Sequence, residues 1–156
     1  KALCEAAKLG ANGVIRAEDV GFRLAPRLNA AGRLECATLV VDLLTTTSPG
    51  NTRALAEYLE KLNTERQSVE RKLTAQAREM VEANGYHTAP AIVLGSTDWH
   101  GGVVGIVAGR LAEQYNRPVL LAVFKDGAEF GGGSGRSVPG FPLHQALQAC
   151  DGLLAG

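Results

Sequence analysis

The sequence predicts an α/β protein in which a long connector helix is followed by a small mixed β-sheet with flanking helices. Three observations predict it. From about Asn51 to Ala83, the residues Leu55, Leu59, Leu62, Val69, Leu73 and Met80 recur in steps of three, four and seven, the period of one apolar helix face. Ala91-Ile-Val-Leu-Gly95 and Pro118-Val-Leu-Leu-Ala-Val-Phe124 are short apolar strands on either side of a helical stretch. Strand–helix–strand is a βαβ unit, and it carries a parallel pair. Lys125-Asp-Gly127 then reads as a hairpin turn, which returns a third strand antiparallel.

In chain order, residues 1–9 are helix-like and Gly10-Ala-Asn-Gly13 ends them. A short helix is expected from Ala17 to Phe22. Leu24 to Arg33 contains Pro26 and Gly32, so it reads as a loop or broken helix. Glu35 to Leu44 reads as a helix, and Thr45 to Gly50 as a loop. The helix after it stops at Asn84-Gly85, where glycine supplies a left-handed cap. At 1.5 Å per residue it would span roughly 50 Å. That length fits either a surface helix of one domain or a rigid connector between two lobes. Beyond it come the strand 91–95, a helix from Gly102 to Tyr115, the strand 118–124, a third strand over Glu129–Ser134 and a last helix from about Pro142 to Cys150.

Composition narrows the function classes. The chain has 156 residues, with 16 basic and 16 acidic side chains and no formal net charge. Such a chain is not a bulk polyanion binder, so any nucleic-acid contact must be local. Cys4, Cys36 and Cys150 are widely spaced and odd in number, which predicts reduced thiols, a cytoplasmic setting and no zinc knuckle. No apolar run approaches the ~18 residues of a membrane helix, and no signal peptide is visible. The sequence opens without methionine, inside a helix-like stretch, and closes on Asp151-Gly-Leu-Leu-Ala-Gly156 without a strand. It reads as a piece of a longer protein.

Two motifs carry the chemistry. Trp99-His-Gly-Gly-Val-Val-Gly-Ile-Val-Ala-Gly-Arg110 follows the first strand and opens straight into a helix. Ligands of α/β sheets sit beyond the carboxyl ends of strands, and a helix start attracts anions through unpaired N–H groups and its dipole. His100, Gly102 and Val103 are therefore candidate anion contacts. The competing reading is close helix–sheet packing by the glycines. About 25 positions further comes Gly131-Gly-Gly-Ser-Gly-Arg-Ser137, too rich in glycine for a good strand interior. It reads as a flexible turn in which Ser134, Arg136 and Ser137 converge on one phosphate. Arg27, Asn29 and Arg33 fit carboxylates at a domain junction or a nucleotide equally well.

Catalytic groups are scarce. His87, His100 and His144 lack partners at metal-ligand spacing, there is no Asp-x-Asp, and Ser134 has no sequence-adjacent base. The chain offers an anion site without an engine.

Four stretches, taken in order, resemble the DHH/DHHA1 phosphoesterase superfamily, and within it the RecJ family of single-strand-specific DNA exonucleases. They are Leu24-Ala-Pro-Arg-Leu-Asn-Ala-Ala-Gly-Arg-Leu34, Leu62-Asn-Thr-Glu-Arg66, Trp99 to Leu111 and Gly133-Ser-Gly-Arg-Ser137. The resemblance implies 5′→3′ degradation of single-stranded DNA in recombination and repair, with Mn²⁺ or Mg²⁺ held by a DHH domain. No Asp-His-His occurs in this sequence. The expected organisation is a helical segment leading out of a missing DHH domain (1–50), the connector helix (51–85) and an incomplete DHHA1-like nucleic-acid-binding domain (86–156). The family's grip on DNA and its 5′ phosphate would fall on Ser134, Arg136 and Ser137, on His100 with Gly102 and Val103, and on Arg27, Asn29 and Arg33. The family's Gly-Gly-His motif is not reached before Gly156, so the sheet is expected to be truncated at its C-terminal end. Single-stranded DNA is the expected partner, with the missing DHH domain and other repair proteins beside it. No metal site, no membrane contact and no nuclease activity are expected of this piece alone. Two other readings stay open: the DHHA1 part of an oligonucleotide or cyclic-dinucleotide phosphodiesterase, and a non-catalytic interaction module docking through the long helix.

Overall fold

The structure, a computed structural model, describes residues 1–9 and 14–154. The helix stop expected at Gly10–Gly13 lies outside them. The chain forms two compact units, one from Lys1 to Ser68 and the other from Val69 onward. One long helix, α5 (Pro49–Ala83), contributes its first part to the former and its remainder to the latter.

The first unit is helical: α1 (Ala2–Ala6), α2 (Ala17–Asp19), a π-turn (Val20–Leu24), α3 (Ala25–Leu34), α4 (Thr38–Thr45) and the start of α5. Leu24 to Arg33 is thus helix, not loop. Pro26 lacks the N–H that an interior turn needs, and the chain meets this by changing its hydrogen-bond step. Ala25 N donates to the Val20 carbonyl across a π-turn, and α3 restarts with proline in its first turn, where a missing donor costs nothing. The helix is then fixed by packing, because Ala30 and Ala31 are fully buried against Leu43, Ala56, Leu59 and Leu62. α4 begins at Thr38 rather than Glu35, since Glu35 leaves helical geometry at φ −140°, ψ −109°. Its carboxylate accepts a bond from the Tyr58 hydroxyl at 2.6 Å. Arg23 donates to the carbonyls of Ala7 and Lys8, tying down the end of α1.

The second unit holds the rest of α5, then β1 (Ile92–Ser96), α6 (Gly101–Tyr115), β2 (Val119–Val123), β3 (Gly132–Arg136) and α7 (Leu143–Gln148). Its sheet is mixed, in the order β1-β2-β3, with β1 parallel and β3 antiparallel to β2. Gly85 ends the α5 segment at φ +69° and Gly127 turns the β2–β3 connection at φ +73°, positions that favour glycine. One sheet face buries Ile92, Leu94, Val119 and Leu121, and α6, whose Val103, Val104, Val107, Ala108 and Leu111 are buried, packs on β2 and β3. α5 joins α6 at two points: the buried Glu70 carboxylate pairs with Arg110, and Tyr115 donates to Glu82 at 2.9 Å. Burial and the Glu82 bond both hold the Tyr115 phenol above its usual range.

The third strand departs from expectation. It runs over Gly132–Arg136 rather than Glu129–Ser134, so the glycine-rich stretch is strand and not a flexible turn. Glycine there serves close approach: a Cβ at Gly133 would lie 2.6 Å from the Leu121 carbonyl oxygen, and one at Gly131 would strike the Phe124 ring at 2.6 Å. The last helix is also shorter than expected, giving way to a 3₁₀ turn over Asp151–Leu153.

Candidate phosphate-binding site

Successive strand residues face opposite ways, so Ser134 and Arg136 share one face of β3 while Gly133 and Gly135 take the other. Their partners in the register are Leu121 and Val119, which places Ser134 and Arg136 on the face covered by α6. The helix makes room for them with glycine. A Cβ at Gly105 would lie 2.9 Å from Ser134 Oγ and 3.2 Å from Arg136 Nη2, and one at Gly109 would lie 3.9 Å from Arg136 Cγ. Residues four apart share a helix face, so Gly101, Gly105 and Gly109 form a groove along which β3 lies.

The Arg136 guanidinium donates through Nη1 to Ser134 Oγ at 3.0 Å and to its neighbour's carbonyl, Gly135 O, at 2.7 Å. Both acceptors are neutral. Among the described residues no carboxylate pairs with Arg136, so its charge is uncompensated on an exposed side chain. A guanidinium so placed suits a phosphate, which accepts its planar fork.

At the start of α6, His100 is the N-cap, and its Nδ1 accepts from Gly102 N at 3.1 Å. Val103 N donates to the His100 carbonyl at 2.9 Å. A neutral imidazole accepting at Nδ1 carries its proton on Nε2, which leaves that N–H for an anion. Gly102 and Val103 therefore shape the helix start and already have acceptors. Ser137 is turned elsewhere: its hydroxyl donates to the Phe141 carbonyl at 2.6 Å and fixes the loop leading to α7. The structure thus brings Ser134 and Arg136 together and gives Ser137 a loop-closing bond.

Arg27, Asn29 and Arg33 lie on α3 in the helical unit. Arg27 is half-buried and binds the Glu60 carboxylate through Nε and Nη2, with Nη1 on the Arg23 carbonyl. Asn29 is exposed and Arg33 partly so, four residues apart on one face. No local signal marks Glu60 as the partner of Arg27, because the two are 33 positions apart. Lys125 and Phe130, read only as parts of a turn and a strand, border a cleft at the mouth of the α6–β3 groove.

Residues 88–156 match the DHHA1 domain model. The chain is 42% identical over 137 residues to the single-stranded-DNA-specific exonuclease RecJ of Bacillus subtilis, covering 88% of this chain and 17% of that protein. It is 39% identical over 160 residues to the Escherichia coli RecJ, covering 100% of this chain and 27% of that protein. A crystal structure of RecJ in complex with Mg²⁺ from Thermus thermophilus superposes with a TM-score of 0.79 at 35% identity, over 99% of this chain and 23% of that one. A crystal structure of exonuclease RecJ bound to manganese gives 0.79 at 38% identity, over 98% and 36%. The chain therefore spans roughly a quarter of the length of these relatives. Among the described residues no three His, Cys, Asp or Glu side chains converge to hold such an ion, so the groups present do not fit one.

Proposed function

The chain belongs to the RecJ exonuclease family, and on that footing we propose that it is the part that grips single-stranded DNA by its 5′ phosphate. One observation supports this above the others: an arginine with uncompensated charge is seated in a glycine groove beside a serine hydroxyl. Arg136 takes the phosphate, Ser134 holds the guanidinium and adds its hydroxyl, and His100 donates from the helix start. Asn29, Arg33 and Arg27 serve other phosphates of the strand, with Glu60 competing for Arg27. Such contacts fix register without reading bases. Phosphodiester cleavage with Mn²⁺ or Mg²⁺, in recombination and repair, belongs to longer members of the family that carry a metal-holding DHH domain. The chain by itself binds and does not cut.

Fluorescence anisotropy tests this with a 5′-phosphorylated twelve-nucleotide single strand and its unphosphorylated twin, at low and moderate salt. Wild-type protein is expected to prefer the phosphorylated strand. Arg136→Ala should lose that preference and roughly ten- to a hundredfold in affinity, the scale of one charge-assisted hydrogen-bond set. Equal affinity of wild type and variant for both strands would refute the grip.

A further inference from the structure

The groove between α6 and β3 contains glycines of two kinds. Gly105 is required by packing, because Ser134 and Arg136 occupy the space its side chain would need. Gly101 and Gly132 are not: a Cβ at either would meet no atom of the described residues within 4 Å. Yet these two line the same cleft, of about 570 Å³, together with Val104, Val123, Lys125, Phe130 and Gly133. Gly101 lies one turn before Gly105, and Gly132 lies two residues before Ser134 on the same strand face, so the cleft sits about 6 Å further along the groove from the guanidinium. At these two positions neither the helix nor the strand projects a side chain into the space between them, and the groove opens. Its mouth carries one cation, Lys125, and one aromatic ring, Phe130, which is 64% exposed. A volume of several hundred Å³ with an apolar wall and a single convergent charge is the build of a small-ligand seat. An exposed aromatic beside a cation is the pairing that receives bases of single strands.

We propose that this cleft seats one nucleotide of a single strand, its base against Phe130 and its phosphate on Lys125, next along the strand from the phosphate that Arg136 holds. The proposal rests on the phosphate-grip reading above. Stacking on a lone ring is tolerant of base identity, so the seat requires a base but does not choose one.

The test measures binding of the whole chain to a 5′-phosphorylated thymidine twelve-mer, and to the same strand with abasic residues at its first three positions. Phe130→Ala alters an exposed loop residue and leaves the core untouched. Gly132→Leu fills the cleft from the strand side. Circular dichroism checks that each variant folds. The abasic strand should bind wild type about tenfold more weakly than the thymidine strand, and Phe130→Ala should erase that difference by weakening only the base-bearing strand. Gly132→Leu should weaken the thymidine strand to a similar degree. Lys125→Ala should lower the slope of log affinity against log salt by about 0.7, one phosphate's share on a single strand. Wild-type affinity of Phe130→Ala for both strands, with Arg136→Ala still impaired, would overturn the seat and leave the grip standing. Unimpaired binding by Arg136→Ala, or no binding by wild type, would overturn both.

Discussion

Two arginines, one in each unit, meet opposite electrostatic surroundings. Arg27 follows a proline on α3, and its guanidinium is met by the Glu60 carboxylate and a backbone carbonyl. Arg136 follows a glycine on β3 and, among the described residues, is met by a hydroxyl and a carbonyl and by no carboxylate. A guanidinium already paired with a carboxylate must exchange that partner to take a phosphate, whereas one held by neutral oxygens keeps its full attraction. The difference teaches that an arginine's availability is decided by what its neighbours carry, which its own motif does not report.

The sharpest way to break this comparison is to remove what seats Arg136. Gly105→Val places branched carbon where Ser134 Oγ and Arg136 Nη2 now lie. It should reduce affinity for a phosphorylated strand at least tenfold, as Arg136→Ala does, and overpacking should cost roughly 1–3 kcal/mol of stability. Urea unfolding followed by the fluorescence of Trp99, the single tryptophan and a buried one of the α/β unit, reads the second effect. Next in size, Glu60→Gln discharges the partner of Arg27. It should raise strand affinity about threefold if Arg27 reaches a phosphate, while hydrogen exchange across α3 speeds as roughly 1 kcal/mol of local stability is lost. Unchanged affinity would confine Arg27 to holding α3 on α5.

Two smaller effects sharpen the α/β side. Arg110→Ala deprives the buried Glu70 carboxylate of a cation and should lower stability by roughly 1–2 kcal/mol, read by the same tryptophan signal. The smallest effect is pH-dependent. The Tyr115 phenol is held above its usual range in the folded state, so the fold binds that proton more tightly than the unfolded chain does. Its stabilisation is complete below pH about 10 and is lost as pH rises through the folded value. Tyr115→Phe should therefore flatten the decline in urea midpoint between pH about 9 and about 11.

Much of the fold is written in local pattern, because apolar periodicity and glycine stops are local signals. Leu59, Leu62 and Leu73 are buried as their spacing requires, and α5 ends at Ala83, just before the left-handed Gly85. The failures share a cause. Pro26 and Gly132 to Gly135 carry local preferences against helix and strand, and tertiary contacts overrode them: Ala30 and Ala31 locked α3 into a core, and the close approach of the Leu121 carbonyl at Gly133 and of Leu143 at Gly135 leaves no room for a side chain at those strand positions. For the candidate site, Ser134 and Arg136 are legible in the sequence through their chemistry. Glu60 as the partner of Arg27 is not, and neither is the cleft bordered by Lys125 and Phe130, since both juxtapositions involve residues distant in the chain.

The groove between α6 and β3 works as a vernier. Four helical residues advance about 6.0 Å and two strand residues about 6.8 Å, so each successive pairing falls out of step by about 0.8 Å. Gly101 with Gly132, Gly105 with Ser134 and Gly109 with Arg136 are three graduations that still coincide. A fourth would lie about 2.4 Å out of step with the first, however the side chains were chosen. The geometry itself therefore sets how far helix and strand can stay matched along the groove, and a longer matched surface has to be built from a different element.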